Sequence, residues 1–309
     1  MVLDTQTQEQ VHSIIGEYEI IVNHRKDDKR TGVLEVLSGN NRLFVKVYSR
    51  TSHWHREMFA YKNWVPTIQP FAPKLISPFQ TDSQFGIIIT SIDGRTVNEL
   101  QIHNDEKLLP IYHEAGKLFK KMQTGKQGEF FGFIKDDGCP ADEHANKNPI
   151  AYISGFIEFF YKSLHDKKQI EDFYKPLIEC AIRECVIFSD DVPVPTNWDL
   201  SPQNWLVNDN GDFTGFIDFE NTSWGISLDS FGVVTHRYAC DKPHLAKSFF
   251  EGYGLVFDET IKQKMKILDI KQALAELFSG YSANNQRWIE CGRRSLQIAL
   301  KQYESKKLS

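Results

Sequence analysis

The sequence predicts an α+β protein in two lobes, a small β-rich N-terminal lobe and a large, mainly helical C-terminal lobe. Two observations carry this. Short apolar and β-branched runs, with one helical stretch among them, fill residues 18–92. From Thr96 onward apolar residues recur at three- and four-residue spacing, with one hairpin pattern set inside residues 191–220. The chain has 309 residues, of which 41% are hydrophobic and 25% charged, enough for two lobes with a packed core.

Each element has a local reason. Residues 18–23 are apolar and β-branched. Residues 32–37 and 42–48 flank the turn-forming Ser38-Gly39-Asn40-Asn41 and predict a hairpin. Residues 52–64 have helical spacing: Trp54, Met58, Tyr61 and Val65 share a face, with Ser52 as the expected N-cap. Pro66, Pro70 and Pro73 end that helix, and strands are expected over 74–79 and 85–92. Asp93-Gly94-Arg95 is a turn. These signals divide the chain into a lobe over 1–92, a hinge at 93–96 and a second lobe over 97–309. In the second lobe helices are expected over 105–123, 150–165 and 170–185 and again after Lys242. The hairpin comprises 205–208 and 213–219, joined by Asp209-Asn210-Gly211-Asp212.

Charge and composition exclude several classes. Lys and Arg total 36 against 41 Asp and Glu, a net charge of −5, which argues against a nucleic-acid partner. No apolar run approaches the ~20 residues of a membrane span. Five scattered cysteines without a CxxC pair, and a polar N-terminus, lead us to expect reduced thiols in a cytoplasmic protein. The histidines lack metal-ligand spacing; His53 and His55 face different sides of their helix. There is no Gly-x-Ser-x-Gly to anchor a serine hydrolase.

The chemistry concentrates in Asn197-Trp198-Asp199-Leu200-Ser201-Pro202-Gln203-Asn204 and Ile217-Asp218-Phe219-Glu220. Asp199 precedes the hairpin, Asn204 enters its first strand and Asp218 ends its second, so the hairpin gathers three polar side chains at one end. Phosphoryl transfer needs such a set: hard oxygens for Mg²⁺, and a separate carboxylate to orient a hydroxyl and take its proton. Upstream, Lys46 lies mid-strand in Leu43-Phe44-Val45-Lys46-Val47-Tyr48. A buried lysine there is costly unless paired, and Glu57 on the next helix is the available partner.

In this order the motifs resemble the aminoglycoside phosphotransferase and choline kinase superfamily, relatives of the protein kinases, over roughly residues 15–235. The resemblance implies a protein-kinase-like fold with ATP or GTP and Mg²⁺ as cofactors and a small-molecule hydroxyl as acceptor. It implies Asp199 as catalytic base, Asn204 and Asp218 as metal ligands, and Lys46 held by Glu57 against the nucleotide phosphates. Backbone groups of Thr90, Ser91 and Ile92 would meet the base, and Asp229 would brace the catalytic loop. Asp-Phe-Glu at 218–220, where protein kinases have Asp-Phe-Gly, points to the small-molecule branch.

Two positions depart from the family pattern. Asn197 stands where the family usually has histidine two residues before the base, and its amide offers both donors and acceptors. The connection over 23–32 is glycine-poor and carries Arg25, Lys26, Lys29 and Arg30, either a charged flap over the phosphates or a solvated hairpin tip. These departures motivate the alternative of a catalytically silent homologue acting as a nucleotide-binding or scaffold module. Arg287, Trp288 and Glu290 are candidates for the acceptor pocket. The acceptor itself stays open among hydroxylated metabolites, sugars, amino-alcohols and antibiotics.

Overall fold

The computed structural model describes residues 3–24, 31–141, 145–239 and 241–308. The N-terminal sheet is built from β1 (Glu19–Asn23), β2 (Gly32–Ser38), β3 (Asn41–Tyr48), β4 (Leu75–Gln80) and β5 (Phe85–Thr90), all antiparallel, in the order β1-β2-β3-β5-β4. The expected hairpin forms with Ser38 opposite Asn41, so Gly39 and Asn40 alone make the turn. Alternation then sorts β3. Val45 and Val47 face one side, in a core with Leu34, Val36 and Ile88, while Tyr48 on the other side joins Met58 and Tyr61 in the main core.

The first of those cores is closed by a helix the sequence did not suggest, α1 (Thr5–Ile15). Its sequence is mostly polar, yet Leu3 and Val11 are buried against the sheet. Burying such a side chain is worth roughly 1.5–3 kcal/mol. Asp4 caps the helix by accepting from the Thr7 amide at 2.7 Å, which adds about 1 kcal/mol. The helix on the other face, α2 (Thr51–Asn63), begins one residue before the expected cap: Arg50 occupies the N-cap without a side-chain bond, and Ser52 lies within the first turn.

The C-terminal lobe contains α3 (Asp105–Gln123), α4 (Pro149–Asp166), α5 (Lys175–Glu184), α6 (Pro243–Tyr253), α7 (Glu259–Ala283) and α8 (Gln286–Leu308). The single helix expected over 170–185 is shortened by Pro176: a 3₁₀ turn at Asp172–Tyr174 leads into α5, whose first turn takes the proline. Short strands β6 (Arg95–Thr96), β8 (Trp205–Val207) and β9 (Phe213–Phe216) form one small sheet, and β7 (Val194–Asn197) pairs with β10 (Thr222–Gly225). Because Arg95 pairs with Val207 and Thr96 with Leu206, residues 93–96 are tied directly to the hairpin that carries the polar motif. Thr214 Oγ1 adds a bond to the Asp93 carbonyl at 2.7 Å.

Among the described residues, no helix is long and apolar enough to cross a membrane. The helical lobe is anchored where α3 and α6 meet backbone to backbone. A Cβ on Gly252 would lie 1.9 Å from the His113 carbonyl oxygen, and one on Gly116 would lie 2.0 Å from that of Phe249. Gly252→Ala should therefore destabilise the protein by about 2 kcal/mol, because overpacking against a carbonyl outweighs alanine's helix propensity. A denaturation midpoint equal to that of the wild type would show that the helices do not touch there.

Candidate active site

The site begins with one buried charge. Lys46 is 6% exposed and Glu57, on α2, is fully buried. Lys46 Nζ lies 2.6 and 2.9 Å from the two Glu57 oxygens and 3.1 Å from Asp218 Oδ1. Glu57 also accepts from the Tyr48 hydroxyl and, at 3.2 Å, from the Phe219 amide. Burial works against the Lys46 ammonium, but Asp218, Glu57 and Glu220 outweigh it and raise its pKa well above the ordinary lysine value. Glu220 accepts a hydrogen bond from Thr31 Oγ1 at 2.6 Å and stands 3.3 Å from His53 Nδ1.

Glu57, Asp218 and Glu220 each place a carboxylate oxygen within 4.8 Å of the others. Three carboxylates face one lysine, so an excess of negative charge is held on hard oxygen atoms. Both Glu57 oxygens are already taken by Lys46, Tyr48 and the Phe219 amide, so Asp218, with one oxygen on Lys46, is the carboxylate whose remaining oxygen suits a divalent cation such as Mg²⁺.

The loop and hairpin supply the opposite wall. Asn204 donates its amide to the Asp199 carbonyl at 3.0 Å and to Asp199 Oδ2 at 3.2 Å, which turns Asn204 Oδ1 away from Asp199. The Ile217 amide donates to the Asn204 carbonyl at 3.0 Å. Asp218 lies beyond the end of β9, not within the strand, at φ +66°. That left-handed conformation is uncommon outside glycine, and residues held so cluster at functional sites. Asn197 ties the two segments together: its Oδ1 accepts the Asp199 amide at 2.9 Å and its Nδ2 donates to the Asp218 carbonyl at 3.3 Å.

A cleft of about 440 Å³ separates the sheet from the hairpin. Its roof is Val33, Phe44, Lys46 and Ile89, and its floor is Asn204, Leu206, Ile217 and Asp218. Thr90 and Ile92 line it, whereas Ser91 does not. The Thr90 amide is already bonded to the Lys74 carbonyl at 2.9 Å and the Ser91 amide to that of Arg42 at 3.3 Å. Asp199 adjoins the cleft through Asn204 without lining it. Arg25, Lys26, Lys29 and Arg30 lie outside the described residues.

Other sequence candidates sit elsewhere. Arg287 and Glu290 are on the exposed side of α8, where Gln286 bonds Glu290 at 3.0 Å, and Trp288 packs beside Gly280. Asp229 is engaged by Lys271 and by the Tyr152 hydroxyl, while Ser230 Oγ accepts the Asn197 amide at 2.9 Å and so makes the brace to the loop. Sequence reading passed over Glu35, which is buried in the cleft roof. Arg42 Nε is 2.6 Å from its Oε1, and His24 Nε2 is 3.4 Å from its Oε2. A charge in the apolar run Val33-Leu34-Glu35-Val36-Leu37 was the same signal that singled out Lys46.

No family model matches the chain, and no curated protein matches it by sequence. Solved structures do. A thermostable mutant of aminoglycoside phosphotransferase APH(4)-Ia, in ternary complex with AMP-PNP and hygromycin B, matches 96% of this chain and 98% of its own with a TM-score of 0.73 at 13% identity. The chain has the aminoglycoside phosphotransferase fold. The streptomycin–ATP ternary complex of APH(2")-IIa matches with a TM-score of 0.63 at 15% identity, covering 96% of this chain and 97% of that one. The GDP and kanamycin complex of APH(2")-IIia matches with a TM-score of 0.67 at 12% identity, covering 96% and 99%. This protein-kinase-like fold, with a β-rich sheet before a helical lobe, is the one expected from the sequence.

Removing the ammonium should expose the strain in the site. Lys46→Met leaves three carboxylates without their cation and should cost about 3–5 kcal/mol of stability. Lys46→Met combined with Glu57→Gln should recover part of that loss in a denaturant titration. Equal stability of wild type and Lys46→Met would contradict the buried ion pair.

Proposed function

We propose that the chain is a Mg²⁺-dependent small-molecule kinase that moves the γ-phosphoryl of ATP or GTP to a hydroxyl of a small acceptor. The single observation that carries this reading is the 3.1 Å contact between Lys46 of the sheet and Asp218 of the hairpin. It brings phosphate-binding and metal-binding candidates together at one end of a cleft of nucleotide size.

In this reading residues 1–92 form the nucleotide-binding lobe, 93–96 the hinge and 97–309 the catalytic and acceptor-binding lobe. The base enters beneath Val33 and Phe44, near Thr90 and Ile92. Lys46, held straight by Glu57, reaches the α- and β-phosphates. Asn204 Oδ1 and Asp218 would hold Mg²⁺, which would supply positive charge against the phosphates. Asp199 orients the acceptor hydroxyl and takes its proton. Catalysis of this kind is positioning more than covalent chemistry, so the rigidity of the loop matters. Asn197 supplies it here, by bonding both the Asp199 amide and the Asp218 carbonyl. Similarity in fold to enzymes crystallised with AMP-PNP, ATP and GDP supports a nucleotide in the cleft.

Two substitutions separate the roles. Asp199→Asn should lower turnover roughly a thousandfold while nucleotide affinity stays within a few-fold of wild type. Turnover retained in that variant would remove Asp199 from the base position. Asp218→Asn should weaken binding of the Mg²⁺–nucleotide complex, as read by calorimetric titration with and without the metal. Unchanged affinity would remove Asp218 from the metal site. Nucleotide binding without turnover in the wild type, over a broad panel of alcohols, would identify the silent homologue instead.

A further inference from the structure

A second cavity, of about 270 Å³, lies inside the helical lobe, between α5, α7, α8 and a π-helical segment at Val233–Tyr238. No residue of 197–220 lines it. α7 meets the Asp199 loop through Lys271, whose Nζ lies 4.7 Å from the Trp198 ring centroid, and meets the cavity through Lys266, Ile267, Asp269 and Ile270. Leu177 and Ala181 of α5 and Ile298 and Ala299 of α8 add to the apolar walls. The volume is near the lower end of the range for small-molecule sites. π-Helical turns are rare and recur at functional sites.

One polar group in this wall lacks a partner. His236, on the π-helical segment, is 8% exposed. Its Nε2 is 2.9 Å from Asp269 Oδ1, so that nitrogen carries a proton toward the carboxylate. Its Nδ1 is buried and has no hydrogen-bond partner among the described residues. Burial works against a charged ring, but Asp269 and the buried Glu276 outweigh it and raise the His236 pKa above the ordinary histidine value. In the imidazolium, Nδ1 is a second N–H donor. A buried donor without an acceptor is costly, and such groups in a native fold call for a partner. Lys266 and Arg294 bring exposed cations to the cavity wall, the latter paired with Asp241, and Glu184 is the carboxylate on the α5 side.

We propose that this cavity is a second ligand site, for a small monocarboxylate whose apolar body lies against Leu177, Ile267, Ile270 and Ala299 and whose carboxylate accepts from His236 Nδ1. An anionic oxygen supplies the acceptor that the imidazolium lacks, and a charge-assisted bond of this kind is roughly twice as strong as a neutral one. An ammonium in the same place would face the imidazolium, with Lys266 and Arg294 on the same wall. An alcohol would supply an acceptor without the charge. The site goes beyond the kinase reading and is independent of it, since it shares no lining residue with the nucleotide cleft.

The test uses the full chain without nucleotide. Hexanoate and 3-phenylpropionate are titrated by calorimetry, each beside its matching alcohol and amine. At least one carboxylate should bind with a submillimolar dissociation constant, and its alcohol and amine at least about tenfold more weakly. Two variants place the binding. His236→Phe removes the ring donor at similar size, and Ala299→Phe fills the cavity from α8. Each should weaken the carboxylate at least about tenfold, and Ala299→Phe decides the matter if His236→Phe does not fold. Absence of carboxylate binding to wild type at millimolar concentration overturns the inference. So does equal affinity for acid, alcohol and amine, and so does binding left unweakened in either folded variant. None of these results depends on a nucleotide, so this inference and the kinase reading fail separately.

Discussion

The arrangement depends on a buried ammonium that three carboxylates share. Lys46 is inside the protein because β3 must alternate: Val45 and Val47 take the α1 side, and Lys46 is left facing α2 and the hairpin. Unpaired, it would be a severe defect. Glu57 meets it from α2, Asp218 from beyond β9, and Glu220 adds its field. One charge thus fastens strand, helix and hairpin together, and the same contacts leave an excess of negative oxygen at the mouth of the cleft.

The rest of the fold holds the hairpin in register with that charge. Residues 93–96 run from the sheet into a strand that pairs with β8, so the passage between lobes is also part of the site's support. From the helical side, the buried Gln123 at the end of α3 donates to the Pro195 and Ser227 carbonyls at 2.9 and 3.1 Å, fixing the strand that leads into the loop. Asn197 and Ser230 complete the loop's attachment. Packing contacts far from the cleft therefore reach the proposed base through a short series of hydrogen bonds.

Much of this was legible in the sequence because it depended on charges in apolar surroundings or on turns with strong local preferences. Lys46 in Val45-Lys46-Val47 demanded a partner, and the turn at Gly39-Asn40 allowed little else. Glu35 obeyed the same rule as Lys46 and was passed over because no motif pointed to it. The α1 helix was hidden because its burial rests on only a few side chains, among them Leu3 and Val11, in a polar stretch. Pro176 decided where α5 could begin, against a periodicity that ran through it. The exposed placement of Arg287 and Glu290, and the seating of Lys271 on Trp198, follow from how α7 and α8 pack. Periodicity places a residue on a helix face and does not say which neighbour that face meets.

The cleft beside Lys46 and Asp218 is proposed as a metal-dependent nucleotide site. Thermal unfolding with Mg²⁺ alone, with MgATP and with MgGTP addresses it without knowledge of the acceptor. At roughly a hundredfold excess over its dissociation constant a ligand stabilises the folded chain by about 2.7 kcal/mol, a rise of several degrees in midpoint. That rise is expected with at least one nucleotide, and it should shrink when the metal is chelated. A midpoint unmoved by both nucleotides in the presence of Mg²⁺ would contradict it.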